Sequence, residues 1–179
     1  MIHLLALSGS LREASSNSML LSAAVRLCPQ GVSITSYDSI GQLPHFNPDL
    51  LNTPGAAVLD LYDQISRADG LLISCPEYAR GIPGSFKNML DWLVSLEAFA
   101  GMPVALYNAS PRASAAQAAL RLVLETLSAV IVDDASFTVN LLASKASLDQ
   151  LVQDHEVSEC IRLSLENMAT HIDSRMSVL

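Results

Sequence analysis

Three polar stretches of this chain carry residue types that could bind or react, and each follows a short apolar run. The first is Ser8-Gly9-Ser10-Leu11-Arg12-Glu13-Ala14-Ser15-Ser16-Asn17-Ser18. Hydroxyls from Ser10, Ser15 and Ser18, the Asn17 amide, the Arg12 guanidinium and the free N–H groups of a following helix suit a terminal phosphate. The same residues equally suit a polar turn that ends in a Ser or Asn helix cap. The second stretch, Cys75-Pro76-Glu77-Tyr78-Ala79-Arg80-Gly81-Ile82-Pro83-Gly84, has two prolines and two glycines. Prolines restrict the backbone, and glycines let a flat ligand approach it closely. The third is Asn108-Ala109-Ser110-Pro111-Arg112.

Other chemistries fail on spacing. There is no G-x-G-x-x-G fingerprint and no phosphate-loop lysine, which argues against a dinucleotide fold or a P-loop NTPase. No G-x-S-x-G elbow exists for a serine hydrolase. Cys75 and Arg80 are separated by four residues, and Pro76 lacks the N–H that would begin a thiolate cradle. His3, His45, His155 and His171 are scattered, and His155 with Glu159 on one helix face is a surface pair rather than a metal site. Lys87 and Asp91 stand four apart and read as an ion pair worth about 0.3–0.5 kcal/mol, not as a catalytic couple. Asn88 is placed to tie loop to helix. Trp92 reads as a core or interface anchor.

The elements that must position these loops follow from periodicity. Residues 2–7 form an apolar strand buried on both faces. A helix over about 18–27 carries Met19, Leu20, Ala23, Ala24 and Leu27, and Pro29-Gln30-Gly31 ends it before a short strand at 32–35. Residues 37–52 are irregular. A helix follows Pro54 and buries Val58, Leu61, Tyr62 and Ile65; the strand 70–74 comes next. Beyond the second loop, Phe86, Leu90 and Leu93 mark a helix. Residues 104–107 are a strand, 113–129 an Ala- and Leu-rich helix, and 130–132 a fifth strand, with 137–140 extended. A final amphipathic helix spans about 147–174, opened by a Ser147/Gln150 capping box. Alternating strands and helices imply one domain over residues 1–179. The fold expected is α/β: a three-layer α/β/α sandwich on a five-stranded parallel sheet of flavodoxin-like order. Such sheets bind ligands in loops at the carboxyl ends of their strands.

The stretch Glu77-Tyr78-x-x-Gly81-x-Pro83-Gly84-x-x-Lys87-Asn88-x-x-Asp91-Trp92, with Gly9-Ser10-Leu11-Arg12-x-x-Ser15-x-Asn17, resembles the signature of the NADPH-dependent FMN reductase family, which includes quinone and chromate reductases. The resemblance covers roughly residues 3–130. It implies a flavodoxin-like enzyme with FMN as cofactor and NADPH or NADH as co-substrate. Two electrons would pass by a ping-pong mechanism to a small acceptor: a quinone, a nitro or azo compound, a metal oxyanion or free flavin.

By the same resemblance, Ser10, Arg12, Ser15, Asn17 and Ser18 would hold the FMN phosphate. Main-chain groups of Pro76, Glu77, Tyr78, Ala79, Arg80 and Gly81 would lie along the isoalloxazine ring, with the Gly81 region facing N5, and Ser110 would meet the pyrimidine edge. No side chain is catalytic in this reading, because the cofactor carries the chemistry. Many relatives have Asn where this chain has Ala79, and a Gly-rich turn where it has Pro111-Arg112-Ala113-Ser114. Arg80 would set a cation beside the ring, to stabilise negative charge or meet an NADPH phosphate, or else serve as a solvated loop residue. In the family the helix after the second loop lies at a dimer interface, which nominates Phe86, Leu90 and Leu93 for subunit contact. The alternative function is a flavin-binding electron carrier without nicotinamide turnover. Such carriers stack aromatics on both ring faces, and no aromatic follows Tyr107 in the third loop.

Composition limits partners. Ten basic against eighteen acidic residues leave a net charge of -8, with no Lys/Arg cluster to neutralise nucleic-acid phosphates. With 50% hydrophobic and 16% charged residues, a homodimer or homotetramer with an apolar interface is expected. Three separated cysteines suggest thiols in a reducing, cytoplasmic setting. The opening Met1-Ile2-His3-Leu4-Leu5-Ala6-Leu7 lacks a basic n-region and reads as a strand rather than a leader. No apolar run reaches the ~20 residues of a membrane helix.

Overall fold

A computed structural model describes residues 1–141 and 146–176. Strands β1 (Ile2–Ser8), β2 (Val32–Ser36), β3 (Gly70–Ser74), β4 (Pro103–Asn108) and β5 (Val130–Ile131) line up in the order β2-β1-β3-β4-β5, all pairings parallel. This is the flavodoxin-like order. Alternation along each strand divides the core. Leu5, Leu7, Leu71, Ile73, Val104 and Leu106 face one side, and Leu4, Ala6, Leu72, Ala105 and Tyr107 face the other. Helices α2 (Ala56–Ser66), α3 (Gly84–Trp92) and α4 (Ser114–Thr126) cover the first side through Leu61, Ile65, Phe86, Trp92, Leu120 and Leu124. Helices α1 (Ser16–Arg26), α5 (Leu148–Gln153) and α6 (His155–Met176) cover the second through Leu20, Ala23, Leu151, Ile161 and Leu165.

Among the described residues the expected five-stranded sheet gains a sixth strand. Chain continuing from β5 turns once as a 3-10 helix at Asp133–Ala135 and rejoins β4 as β6 (Phe137–Thr138), pairing with Tyr107 and Asn108. Between the two segments Leu106 would lose its partner, but its N–H donates to Ser136 Oγ at 3.0 Å, which in turn donates to the Val132 carbonyl at 2.9 Å. One side chain thus spans the gap in the ladder and satisfies a buried amide.

The single C-terminal helix expected from periodicity is also divided. The capping box is present, with Ser147 Oγ accepting from Gln150 N and Gln150 Oε1 from Ser147 N. Asp154 then leaves helical geometry (φ -65°, ψ 118°), and its carboxylate accepts from Val157 N at 3.0 Å, starting α6 afresh. Aspartate competes for helix-end amides, so an interior Asp is a natural break point.

The subunit-contact assignment of Phe86, Leu90 and Leu93 is corrected: all three are at most 1% exposed within this one chain. They form the underside of α3 on the sheet, and Trp92 joins them in the core. The polar side of α3 instead fixes the irregular stretch before it. Asn88 accepts from Phe46 N (2.7 Å) and donates to the Pro44 carbonyl (2.9 Å), which also accepts from Trp92 Nε1 (2.8 Å). The Lys87–Asp91 ion pair forms at 2.5 Å on a part-exposed surface.

Candidate functional site

The carboxyl ends of β1, β3 and β4 bring the three polar loops to one edge of the sheet. They enclose a cleft of about 330 Å³, within the size range of small-molecule sites. The close approach of loops one and two depends on Gly9. A Cβ there would lie 2.8 Å from Cys75 Sγ and 3.1 Å from Cys75 Cα, so only glycine fits without moving backbone. Burial pushes the Cys75 thiol up to about 12, which keeps it protonated at neutral pH.

In the first loop Ser15 is the N-cap of α1, accepting from Ser18 N at 3.4 Å. Ser10 Oγ accepts from Arg12 N at 3.3 Å, a local turn that sets the direction in which Arg12 leaves the chain. Ser10, Ser15 and Asn17 are buried, whereas Arg12 is exposed; all four line the cleft. Asn17 is fixed from below: Ser74 Oγ lies 2.9 Å from Asn17 Oδ1 and 2.7 Å from the Tyr107 carbonyl. A hydroxyl has one hydrogen, so Ser74 donates to one of these at a time. Ser18 does not line the cleft; its hydroxyl pairs with Ser8 Oγ at 2.8 Å and ties α1 to β1.

In the second loop Pro76, Glu77 and Tyr78 line the cleft, whereas Ala79, Arg80 and Gly81 do not. The chain turns back there, with Tyr78 N donating to the Gly81 carbonyl (3.1 Å) and Gly81 N to the Tyr78 carbonyl (3.0 Å). Both central residues are left-handed, Ala79 at φ 49° and Arg80 at φ 63°. These are the signs of a type I′ turn, which favours Asn or Gly at those positions. An Asn in place of Ala79 would therefore suit the backbone at this position. A Cβ on Gly81 would meet only the Tyr78 carbonyl, at 4.0 Å. Tyr78, 47% exposed, leans from this turn toward loop one, its hydroxyl 3.5 Å from Ser10 Oγ.

Glu77 does something its sequence neighbours do not reveal. Its Oε2 accepts from Ala116 N at 3.0 Å, in the first turn of α4. Ala113, the residue before that helix, makes no side-chain cap. Glu77 supplies the missing cap from another loop and places its charge at the positive end of α4.

The third loop repeats the geometry of the first. Ser110 Oγ accepts from Arg112 N at 3.2 Å, as Ser10 does from Arg12, and Ser110 N donates to Asn108 Oδ1 at 3.2 Å. Ser110 and Arg112 line the cleft together with Asn108, Ala109 and Ala113. Among these, Asn108, Ala109 and Ala113 were missed in the sequence, because small and amide residues in a turn carry no chemical signal of their own.

The family model described as NADPH-dependent FMN reductase matches residues 2–143. The chain belongs to that family. It is 30% identical over 167 residues to the quinone reductase of Escherichia coli (strain K12), covering 86% of this chain and 89% of that one. It is 41% identical over 113 residues to NAD(P)H-dependent FMN reductase PA1204 of Pseudomonas aeruginosa, covering 61% and 60%. The solved structure of FerB, a flavoenzyme NAD(P)H:(acceptor) oxidoreductase from Paracoccus denitrificans, superposes with a TM-score of 0.82 at 28% identity, covering 97% of this chain and 98% of FerB. This FMN reductase family member is an oxidoreductase, with FMN as cofactor and NAD(P)H as co-substrate.

The cleft fits that cofactor chemically. One end carries hydroxyls, an amide, a guanidinium and the N-terminus of α1, where the first helical amides lack intrahelical acceptors. Loops two and three add Pro76, Tyr78, Ala109 and Ala113 to the lining, which offer apolar surface and main-chain polar groups to a flat ring. Among the described residues no cluster of His, Cys, Asp or Glu could hold a metal, and no helix is long and apolar enough to cross a membrane.

Proposed function

We propose that residues 1–179 form a single FMN-binding domain that moves two electrons from NADPH to a quinone, flavin or other small acceptor by a ping-pong mechanism. The observation that carries this is the meeting in one cleft of Ser10, Arg12, Ser15, Asn17, Pro76, Glu77, Tyr78 and Ser110, drawn from three separate loops. Arg12, Ser10, Ser15 and Asn17 hold the phosphate, with the α1 N-terminus adding its partial positive charge. Pro76 to Tyr78, Ala109 and Ser110 orient the ring, and Glu77 keeps those two walls together. FMN held by these residues would supply the redox chemistry, a two-electron carrier between nicotinamide and acceptor, while the chain's own residues bind and orient it. No protein acid or base is required. The buried Cys75 thiol, held protonated, is no nucleophile.

The low charge content, together with exposed Val94, Leu122 and Leu163, supports assembly as a homodimer or homotetramer. The NAD(P)H co-substrate and three free thiols support a cytoplasmic setting. The test is the visible spectrum of the protein with FMN. NADPH alone should bleach the flavin band without air, and added quinone should restore it. A band that quinone and other oxidants exchange electrons with, but NADPH leaves unbleached, marks an electron carrier instead.

A further inference from the structure

The charges around the cleft run against those of the chain. The protein carries a net charge of -8, yet the cleft's ionisable rim is largely cationic. Among the described residues, Arg26, Arg67, Lys87 and Arg121 pair with carboxylates. Arg162 donates to Ser158 Oγ and Arg175 to the Gly101 carbonyl. The three arginines left without any side-chain partner are Arg12, Arg80 and Arg112. All three stand in the loops at the carboxyl edge of the sheet, and all three are exposed.

An FMN phosphate in loop one accounts for Arg12. It does not account for the other two. Arg112 lines the cleft from loop three, and Arg80 stands at the tip of the loop-two turn, two residues from Tyr78, which also lines it. Loops two and three are joined through Glu77 and Ala116, so the turn that carries Arg80 stands beside the wall that carries Arg112. The carboxylate nearest Arg80 in the chain, Glu77, is committed to the α4 amide. The backbone that carries each arginine is set locally, at Arg112 by the Ser110 turn and at Arg80 by a left-handed conformation.

We infer that Arg112 and Arg80 select the electron acceptor, favouring quinones that carry a fixed negative charge (a carboxylate, sulfonate or ionised hydroxyl) over neutral ones. This rests on the oxidoreductase reading above and names the acceptor class for that site. The net reaction balances simply. NADPH gives up a hydride and becomes NADP+, and the quinone takes that electron pair and hydrogen plus one solvent proton to become the hydroquinone, its anionic substituent unchanged. The arginines take no part in the transfer; they raise the local concentration of the anion and orient it.

The experiment uses the FMN-loaded protein and its Arg80→Gln/Arg112→Gln variant. Calorimetric binding of naphthalene-2-sulfonate, which cannot be reduced, is compared with that of neutral 2-naphthol. Two exposed cations a few ångströms from one anion are worth about threefold each, so the sulfonate should bind about tenfold more weakly to the variant, with naphthol unchanged. Stopped-flow reoxidation of the dithionite-reduced protein should show the same tenfold fall in the rate ratio of 1,4-naphthoquinone-2-sulfonate to 1,4-naphthoquinone. In the unmodified protein the sulfonate advantage should shrink as salt is raised. Arg80→Lys/Arg112→Lys should restore most of it.

If the variant keeps its FMN and its NADPH oxidation while sulfonate binding and the rate ratio stay the same, the acceptor assignment is overturned and the oxidoreductase reading stands. A loss confined to the NADPH-over-NADH preference gives the arginines to the donor and overturns it as well. Should the double variant fail to fold, a salt-insensitive sulfonate advantage in the unmodified protein overturns it independently. An unmodified protein that neither binds FMN nor oxidises NADPH removes the underlying reading, and this one with it.

Discussion

Replacing Glu77 tests whether the cleft is held together by one hydrogen bond between loops. Ala116 is fully buried, and Glu77 Oε2 at 3.0 Å is the acceptor for its N–H. Glu77→Ala leaves that amide unsatisfied, at a cost of about 1–3 kcal/mol, and removes a charge–dipole contact of about 0.3–1 kcal/mol. The sum, about 1–4 kcal/mol, corresponds to a fall in Tm of about 3–16 °C for a chain of this length. FMN affinity should drop about tenfold too, because loops two and three lose their clamp; that factor is about 1.4 kcal/mol. Glu77→Gln keeps an acceptor oxygen in place and loses only the charge, so its Tm should fall by about 2–4 °C, with FMN binding nearly intact. Thermal melts and quenching of FMN fluorescence measure both. The reasoning is refuted if Glu77→Ala melts with the parent and binds FMN equally well. It is refuted equally if Glu77→Gln is as damaged as Glu77→Ala.

Four further outcomes are expected. Arg12→Ala should weaken FMN binding about fivefold, the loss of about 1 kcal/mol from an exposed charge-assisted contact, with Tm of the FMN-free protein unchanged; equilibrium dialysis reads it. Gly9→Ala should destabilise by about 1–3 kcal/mol, since its Cβ would strike Cys75 Sγ at 2.8 Å and the Cys75 backbone at 3.1 Å, and a thermal melt should show it. Ala79→Asn should stabilise by about 0.5–1 kcal/mol by relieving a left-handed alanine, seen as a higher denaturant midpoint at constant slope. Cys75 ties stability to alkaline pH: its thiol stays protonated up to about 12 when folded but ionises near its ordinary value of 9.0 when unfolded. Stability should therefore be intact below pH 9, fall from there towards 12, and fall less steeply in Cys75→Ala.

The sheet and its helices were legible in the sequence because their signal is repeated. Apolar runs at 2–7, 70–74 and 104–107 can be satisfied only by burial on both faces, and alternation with helices leaves few topologies. The capping box at Ser147 and the Lys87–Asp91 pair were legible because each depends only on residues three or four apart. Contacts between distant residues were not. Ser136 standing in for a strand, Asp154 restarting a helix, and Glu77 capping α4 from 39 residues away all depend on tertiary placement that no local pattern encodes. Gly9 looked like one glycine in a polar loop until Cys75 was seen against it. Of the candidate site residues, Ser10, Arg12, Ser15, Asn17, Pro76, Glu77, Tyr78 and Ser110 line one cleft. Ser18, Ala79, Arg80 and Gly81 lie off the cleft wall, because Ser18 turns toward β1 and the other three form the turn behind Tyr78.

A crystal structure of the protein grown with FMN puts the central claim to its most direct test. One flavin should occupy the cleft, its phosphate within hydrogen-bonding reach of Ser10, Arg12 and Asn17 and its ring between Pro76–Tyr78 and Ala109–Ser110. A phosphate seated away from the first loop, or a flavin on another surface with this cleft empty, would contradict it.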